Sequence, residues 1–243
     1  MLILAIDSAT PTAGVAIAED GCILYESFVN YKKTHSETLM PMVEQALNVC
    51  EKTLADFTAF AVTIGPGSFT GLRIGLAAVK ALALTTGVPV VGVSTLELLA
   101  HNLTQPMPVL AAPLLDARKQ EVYCAFYRCG GENETPQALT EETACSPAEF
   151  VEQAKKWLEE TKAEKVVMPG DGYAPYADFF REELGDACVL PPAHHRLPRA
   201  AALADLARCR LQKNPEAVLD IMTAKPVYLR LSEAEYRLGK GEL

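Results

Sequence analysis

The 243 residues contain no Cys-x-x-Cys pair, and the seven cysteines, at 22, 50, 124, 129, 145, 188 and 209, are odd in number and scattered. That pattern excludes a disulfide framework and a cysteine-built zinc site, and points to reduced thiols in a cytoplasmic protein. Long hydrophobic runs are missing too. The stretches Pro106 to Leu115 and Leu76 to Leu84 are too short or too interrupted to span a bilayer, so no membrane partner is expected. Met1-Leu-Ile-Leu-Ala-Ile reaches Asp7 without a basic segment, so no signal peptide is expected. Positive charge is in deficit: 22 lysines and arginines face 31 acidic residues, a net charge of −9. Nucleic-acid binding needs a basic surface to displace counterions, so any RNA would be held indirectly, through a partner. Histidine is sparse. His101 has no second histidine four residues away and reads as a surface or core residue, not a metal ligand.

What the chain has is enough apolar residues, 49%, to bury one large or two small cores. Its organising stretch is Ala59-Phe-Ala-Val-Thr-Ile64 followed by Gly65-Pro-Gly-Ser-Phe-Thr-Gly71 and a Pro-free Ala/Leu segment to Leu84. This reads as strand, tight loop and buried helix. The N–H groups of Gly67, Ser68 and Phe69 are placed to face an anion at the helix start. Literal phosphate motifs fail, because Gly71 is followed by Leu72 and Arg73 instead of Lys-Ser/Thr, and Gly67 and Gly71 enclose three residues instead of two. Pro66 also rules out a nucleophile elbow at Ser68. The loop therefore reads mainly as a shaped turn and partner surface.

Leu2 to Ile6, Gly14 to Ala18 and Cys22 to Val29 predict a three-stranded meander with a turn at Glu19-Asp-Gly21. Asp7 at the end of the first strand either holds a hydrated Mg²⁺ beside phosphates or is a turn Asp bonding its own backbone. Thr34-His-Ser-Glu37 fits a capping box opening a helix from His35 to Cys50, with Pro41 expected to kink or loosen its first turns. At about 100° per residue, its apolar side chains cover an arc of about 180°, wider than one sheet needs. The surplus makes His35, Leu39, Met40, Met42, Val43, Ala46, Leu47 and Cys50 a partner face; the alternative is a helix wedged deep in its own fold. On the first reading Val43→Glu leaves the chain folded, and on the second it unfolds it.

Val88 to Val93 predicts a buried strand and Ser94 to His101 a helix start. Pro106 and Pro108 mark a boundary. Beyond it the order repeats: strand Val109 to Leu115, Asp116-Ala-Arg-Lys, strand Glu121 to Tyr127, a third strand near 136–139, helix 147–159, strand 165–168, Gly170-Asp-Gly172, helix 176–183 and strand 187–190. Two copies of a βββαβα unit imply a duplicated two-lobe α/β fold with the two Asp-bearing hairpins facing the cleft. The expected units are a first lobe of residues 1–105, a second of 106–197, a helix of about 198–214 packing back on the first lobe, and a polar tail of 215–243.

Such a duplicated lobe resembles the actin, sugar-kinase and Hsp70 (ASKHA) superfamily. More narrowly, Leu4-Ala-Ile-Asp-Ser8, Gly65 to Gly75, Gly92-Val-Ser-Thr-Leu-Glu97, Asp116-Ala-Arg-Lys-x-Glu-Val-Tyr123 and Pro226-x-Tyr-Leu-Arg230 resemble the bacterial TsaB (YeaZ) family, glycoprotease-like paralogues of TsaD. The likeness covers nearly the whole chain. It implies a part in making N6-threonylcarbamoyladenosine on tRNA, in which this subunit does no chemistry but supports the transferase TsaD and works with the TsaE ATPase, pairing with itself when TsaD is missing. TsaD carries a His-x-x-x-His metal pair whose counterparts here are Thr95 and Leu99, so no metal is expected. Asp7, Ser8, Gly67, Ser68, Asp116 and Gly170 stand as a vestigial nucleotide or anion site. The thin Gly170-Asp-Gly172 loop implies no cofactor, or ATP and ADP bound weakly. An ATP-dependent kinase or metallopeptidase-like hydrolase using the cleft is the alternative.

Overall fold

The computed structural model describes residues 1–31, 34–104, 107–131 and 133–230. Pro106 at the expected boundary and residues 231–243 of the expected tail lie outside the described residues. The chain opens with β1 (Leu2–Asp7), β2 (Ala13–Glu19) and β3 (Cys22–Val29), joined antiparallel. Asp20 and Gly21 turn the second hairpin with φ of 49° and 85°, the left-handed pair that a two-residue hairpin demands. Then come α1 (His35–Val49), β4 (Ala59–Gly65), α2 (Phe69–Thr86) and β5 (Val90–Ser94), completing a sheet in the order β3-β2-β1-β4-β5 with β1, β4 and β5 parallel.

Strand β1 is apolar from Leu2 to Ile6 because both its faces are covered. Leu2, Leu4 and Ile6 pack under α1 and α2. Ile3 and Ala5, one residue out of step, face an Ala-rich helix from the far end of the chain, α6 (Ala200–Lys213). Facing α6 the sheet presents Ala5, Ala16, Ala18, Ala59 and Ala61, so small side chains meet small ones and the helix lies close to the strands.

Among the described residues α2 is long and apolar enough to cross a membrane by composition, contrary to the expectation that no segment qualifies. It is a core helix. Gly71, Leu72, Gly75, Leu76, Val79, Leu82 and Ala83 are buried, and Ser68 caps it by accepting from the Gly71 N–H at 3.2 Å.

Helix α1 departs from the sequence reading in two ways. Thr34 is its N-cap but makes no side-chain capping bond; its carbonyl accepts from the Thr38 hydroxyl instead, and the helix runs on through Pro41. Leu39, Met42, Val43 and Ala46, expected in a partner face, are buried in this chain's own core with Leu4, Ile6, Val15 and Phe60. The wide apolar arc exists because α1 fills the space over β2 and β3 while also flanking α2.

After α3 (Thr95–His101), the second half repeats the first. The strands β6 (Val109–Ala111), β9 (Tyr127–Gly130), β10 (Asn133–Ala138), β12 (Val166–Val167) and β13 (Cys188–Val189) stand in the order β10-β9-β6-β12-β13, with the same senses as the first sheet. This is the duplicated actin-like α/β fold. The two long strands expected at its start are each broken in two. The first continues as β7 (Leu114–Arg118) and the second begins as β8 (Glu121–Cys124), and these two join β11 (Thr143–Cys145), which sequence reading missed, in a small separate sheet. Pro113, which has no N–H to give a ladder, stands at the first break. Helices α4 (Pro147–Thr161) and α5 (Ala177–Leu184) cover this lobe, α4 opening with a complete Ser146/Glu149 capping box.

The crossing helices are exchanged between lobes. Leu96, Leu99 and Ala100 of α3 pack with Ala111, Leu115 and Tyr127 of the second lobe, while α6 covers the first sheet. Polar bonds rivet the crossing: His101 Nε2 to Asp205 Oδ2 at 2.9 Å, Arg210 to Glu97 and to the Gly92 carbonyl, and Glu142 accepting from the Ser94 and Tyr127 hydroxyls. The hydrogen bond from His101, reinforced by Arg208, draws Asp205 down to about 2 from 3.8 although burial opposes it. A depressed carboxyl stabilises the fold above its unfolded value, and that contribution disappears as pH falls through the folded one. Asp205→Asn should therefore cost about 1–2 kcal/mol at pH 7, after allowing for partial exposure. Urea melts should show the deficit shrinking between about pH 4 and pH 2.

Candidate functional site

The β4–α2 loop is built to receive the β1–β2 turn. A Cβ on Gly67, at φ 156°, would stand 2.2 Å from Ala9 O, and one on Gly71 would stand 2.1 Å from Ser8 O. Gly67, Gly71 and Gly75 recur every four residues, so they share one side of the loop and helix and let the turn's backbone press against them. Ser8, buried, donates its hydroxyl to Gly71 O at 2.8 Å. The Ser68 N–H, expected to face an anion, donates to Ala9 O at 2.7 Å. One of the loop's three expected donors is thus committed to the turn.

Asp7 is likewise turned inward. It is fully buried, its Oδ1 accepting from the Thr63 hydroxyl at 2.6 Å and from the Ala9 N–H at 3.2 Å, and burial pushes its carboxyl above the ordinary value in spite of those bonds. Asp7 is not among the residues lining the cleft; its Oδ1 makes the backbone bond of a turn Asp, the second of the two readings open from the sequence, while its Oδ2 is buried without a hydrogen-bond partner among the described residues.

In the second lobe the β7–β8 hairpin projects into the cleft. Arg118, Lys119 and Gln120 all have positive φ, 60°, 51° and 61°. Such a conformation costs a non-glycine residue about 1–2 kcal/mol and must be held by its surroundings. Asp116 supplies part of the hold, accepting from the Arg118 N–H at 2.8 Å and pairing with its guanidinium at 3.0 Å. Asp171 in turn accepts from the Asp116 N–H at 3.1 Å. Gly170 sits at φ 110° where a Cβ would be 2.0 Å from Leu114 O, so its role is to bring Asp171 onto β7; Gly170 itself does not reach the cleft.

Between the lobes lies a cavity of about 410 Å³. The turn supplies Ala9 and Thr10; α1 supplies His35; the loop supplies Gly67 and Ser68; and the second-lobe hairpin supplies Asp116 to Lys119. His35 Nε2 donates to Thr10 O at 2.8 Å, so this member of the expected partner face helps build the cleft. Of the six expected nucleotide-site residues, Gly67, Ser68 and Asp116 line the cavity, while Asp7, Ser8 and Gly170 support it from behind. Of the expected partner face, Met40 is exposed and Leu47 and Cys50 are half-buried. Thr95 and Leu99 are buried at the lobe junction, and among the described residues no group of three or more His, Cys, Asp and Glu side chains is placed to hold a metal.

Sequence reasoning missed how the tail completes this site. Tyr228 stacks on Phe69 with ring centroids 4.7 Å apart, and Arg230 donates to Ala117 O at 2.7 Å. The signal was in the strings 65–75, 116–123 and 226–230, singled out separately, which the fold brings to one place.

The family model described as TsaD, tRNA N6-adenosine threonylcarbamoyltransferase, matches residues 23–238. The chain is similar to the tRNA threonylcarbamoyladenosine biosynthesis protein TsaB of Bacillus subtilis strain 168, with 33% identity over 97% of this chain and 96% of that one. It is 34% identical to the TsaB of Escherichia coli K12, over 98% of each chain. Among solved structures it is similar to YeaZ from Pseudomonas aeruginosa, with a TM-score of 0.75 and 26% identity over 94% of this chain and 99% of that one. A second structure, of a Pseudomonas aeruginosa protein described as similar to peptidase YEAZ, aligns with a TM-score of 0.78 at the same identity and coverage.

Proposed function

The chain belongs to the TsaB family of tRNA threonylcarbamoyladenosine biosynthesis proteins, and from that premise we propose that it is the non-catalytic subunit that supports its paralogue TsaD in threonylcarbamoyl transfer. One observation carries the reading above the rest. At the positions where the likeness to TsaD calls for two metal-binding histidines stand Thr95 and Leu99, both fully buried, Leu99 among apolar side chains of the lobe junction. Leucine offers no donor atom, and neither side chain reaches the cleft. The inward-turned Asp7 argues in the same direction against a kinase-like use of the cavity.

The contacts of this subunit are then with proteins: TsaD, a TsaE-type ATPase, and a second copy of itself when alone. The acidic net charge leaves tRNA to the partners. With Leu39, Met42, Val43 and Ala46 committed to the core, the partner face is what α1 leaves uncovered, bounded by Met40 on one flank and Val49 on the other, exposed at 44% and 62% and about half a turn apart.

The test is co-purification with the TsaD paralogue. The double variant Met40→Glu/Val49→Glu should keep its circular dichroism and melting curve but lose at least tenfold in TsaD capture, since two charges would be desolvated in the complex. Wild-type capture by that variant would move the interface off α1. Steady ATP turnover by the rigorously purified chain alone would sink the non-catalytic reading.

A further inference from the structure

Beyond α6 the chain turns back along the first lobe. The Leu219 N–H donates to Val90 O at 2.7 Å, and its side chain lies over Gly92, where a Cβ would come within 3.0 Å of it. The Val227 N–H donates to Ile64 O at 2.7 Å, and Val227 O approaches Gly65 so closely that a Cβ there would stand 2.4 Å away. Tyr228 then stacks on Phe69 and accepts from Arg73 Nε at 3.0 Å, with the Arg73 guanidinium 3.8 Å from the centre of the Phe69 ring. Two residues later the chain is on the other lobe. Arg230 donates to Ala117 O at 2.7 Å and pairs with Glu121 at 2.8 Å. Both Tyr228 and Arg230 line the cavity between the lobes.

We propose that residues 226–230 are an interlobe strap, latched by Tyr228 on the first lobe and by Arg230 on the second, that fixes the opening between the lobes and roofs the cavity. The two latches differ in chemistry and suit their anchors. Tyr228 completes an aromatic and guanidinium stack, a contact that depends on face-to-face geometry. Arg230 makes charge-assisted bonds at the root of the hairpin whose next three residues, 118 to 120, hold left-handed conformations. Losing Arg230 therefore removes a restraint from a segment that stores strain, and the strap transmits slack to the loop at 65–73 through Tyr228. Two-lobed folds move by hinge closure when nothing spans the mouth of the cleft, and a short span of chain tied at both ends opposes that motion. The inference stands on the chain's own contacts and is independent of which partner α1 meets.

Hydrogen exchange by mass spectrometry on the full-length chain tests it, with wild type beside Arg230→Gln, Arg230→Lys and Tyr228→Ala. Arg230→Gln should raise amide exchange at least about tenfold in residues 114–124 and also in residues 65–73, which Arg230 does not touch, while peptides of β1 and β4 keep wild-type protection. Tyr228→Ala should loosen the same two segments, and Arg230→Lys, which keeps the charge toward Glu121, should restore part of the protection. Loosening confined to the segment each side chain touches, or exchange within about twofold of wild type in both, overturns the strap. Should Tyr228→Ala fail to fold, Arg230→Gln decides alone.

Discussion

Val43→Glu should severely destabilise the fold. Val43 is 2% exposed on the inner side of α1, in the same core cluster as Val15, Ile17 and Phe60. A glutamate there would either bury a carboxylate with no partner or drag α1 off the sheet, at a cost of about 3–5 kcal/mol. Set against a typical total of about 5–15 kcal/mol, that removes much of the stability of a single chain. The expected result is a melting temperature lower by about 10 °C or more, or the absence of a cooperative transition, by circular dichroism. Glu44→Lys, on the exposed side of the same helix, should stay within about 0.5 kcal/mol of wild type. A folded Val43→Glu monomer with wild-type melting would mean that α1 does not pack as described.

The second large effect is expected at Gly71. Inside a helix, glycine to alanine ordinarily stabilises by about 1 kcal/mol. At Gly71 the added Cβ meets Ser8 O at 2.1 Å, with His35 Cδ2 and Ser68 Cβ each at 3.2 Å. The carbonyl belongs to the backbone of the β1–β2 turn and cannot rotate away, so α2 and the turn must separate. Overpacking of this kind costs about 1–3 kcal/mol, reversing the sign that propensity alone predicts. Chemical denaturation should show Gly71→Ala destabilised, with Thr70→Ala, at an exposed position beside it, nearly unchanged. A stabilised Gly71→Ala would show that the turn yields and that the glycine spacing has another cause.

The sequence made the repeat legible because both halves spell it in the same order: three strands, a helix, a strand, a helix, a strand. The first lobe was clear almost to the residue, since β1, β4 and β5 are unbroken apolar runs and Asp20-Gly21 has one natural turn. The second lobe was less so. Its apolar runs at 109–115 and 122–127 carry no visible break between sheets, and hydrophobicity alone does not reveal that each is split between two sheets, the first at Pro113. The face of α1 was misassigned for a related reason: an arc of apolar residues reports how much of a helix is covered, but not by what. Met40 and Val49 belong to the same arc as Val43 yet lie outside the core. The cleft suffered most. Asp7, ending a strand, read equally as a ligand or a turn Asp, and only tertiary distances reveal that Thr63 and Ala9 both bond its Oδ1. The contact between residues 69 and 228 depends on closure of the whole chain, which no local pattern encodes.

The exchange of α3 and α6 between the lobes has a consequence for the order in which the protein can be made. The strands of the first sheet leave the ribosome early, but the helix that covers one of its faces is encoded near the other end of the chain. At about 5–20 residues per second, the wait between β4 and α6 is on the order of ten seconds. Throughout that interval Ile3, Ala5, Ala16 and Ala61 lack the helix that covers most of that face, with only Leu98 of α3 packed there from their own half of the chain. The alanine-rich character of that face then does a second job in the nascent chain: small side chains leave less apolar area open to capture by neighbours than a Leu- or Phe-rich face would, while the face waits for its cover.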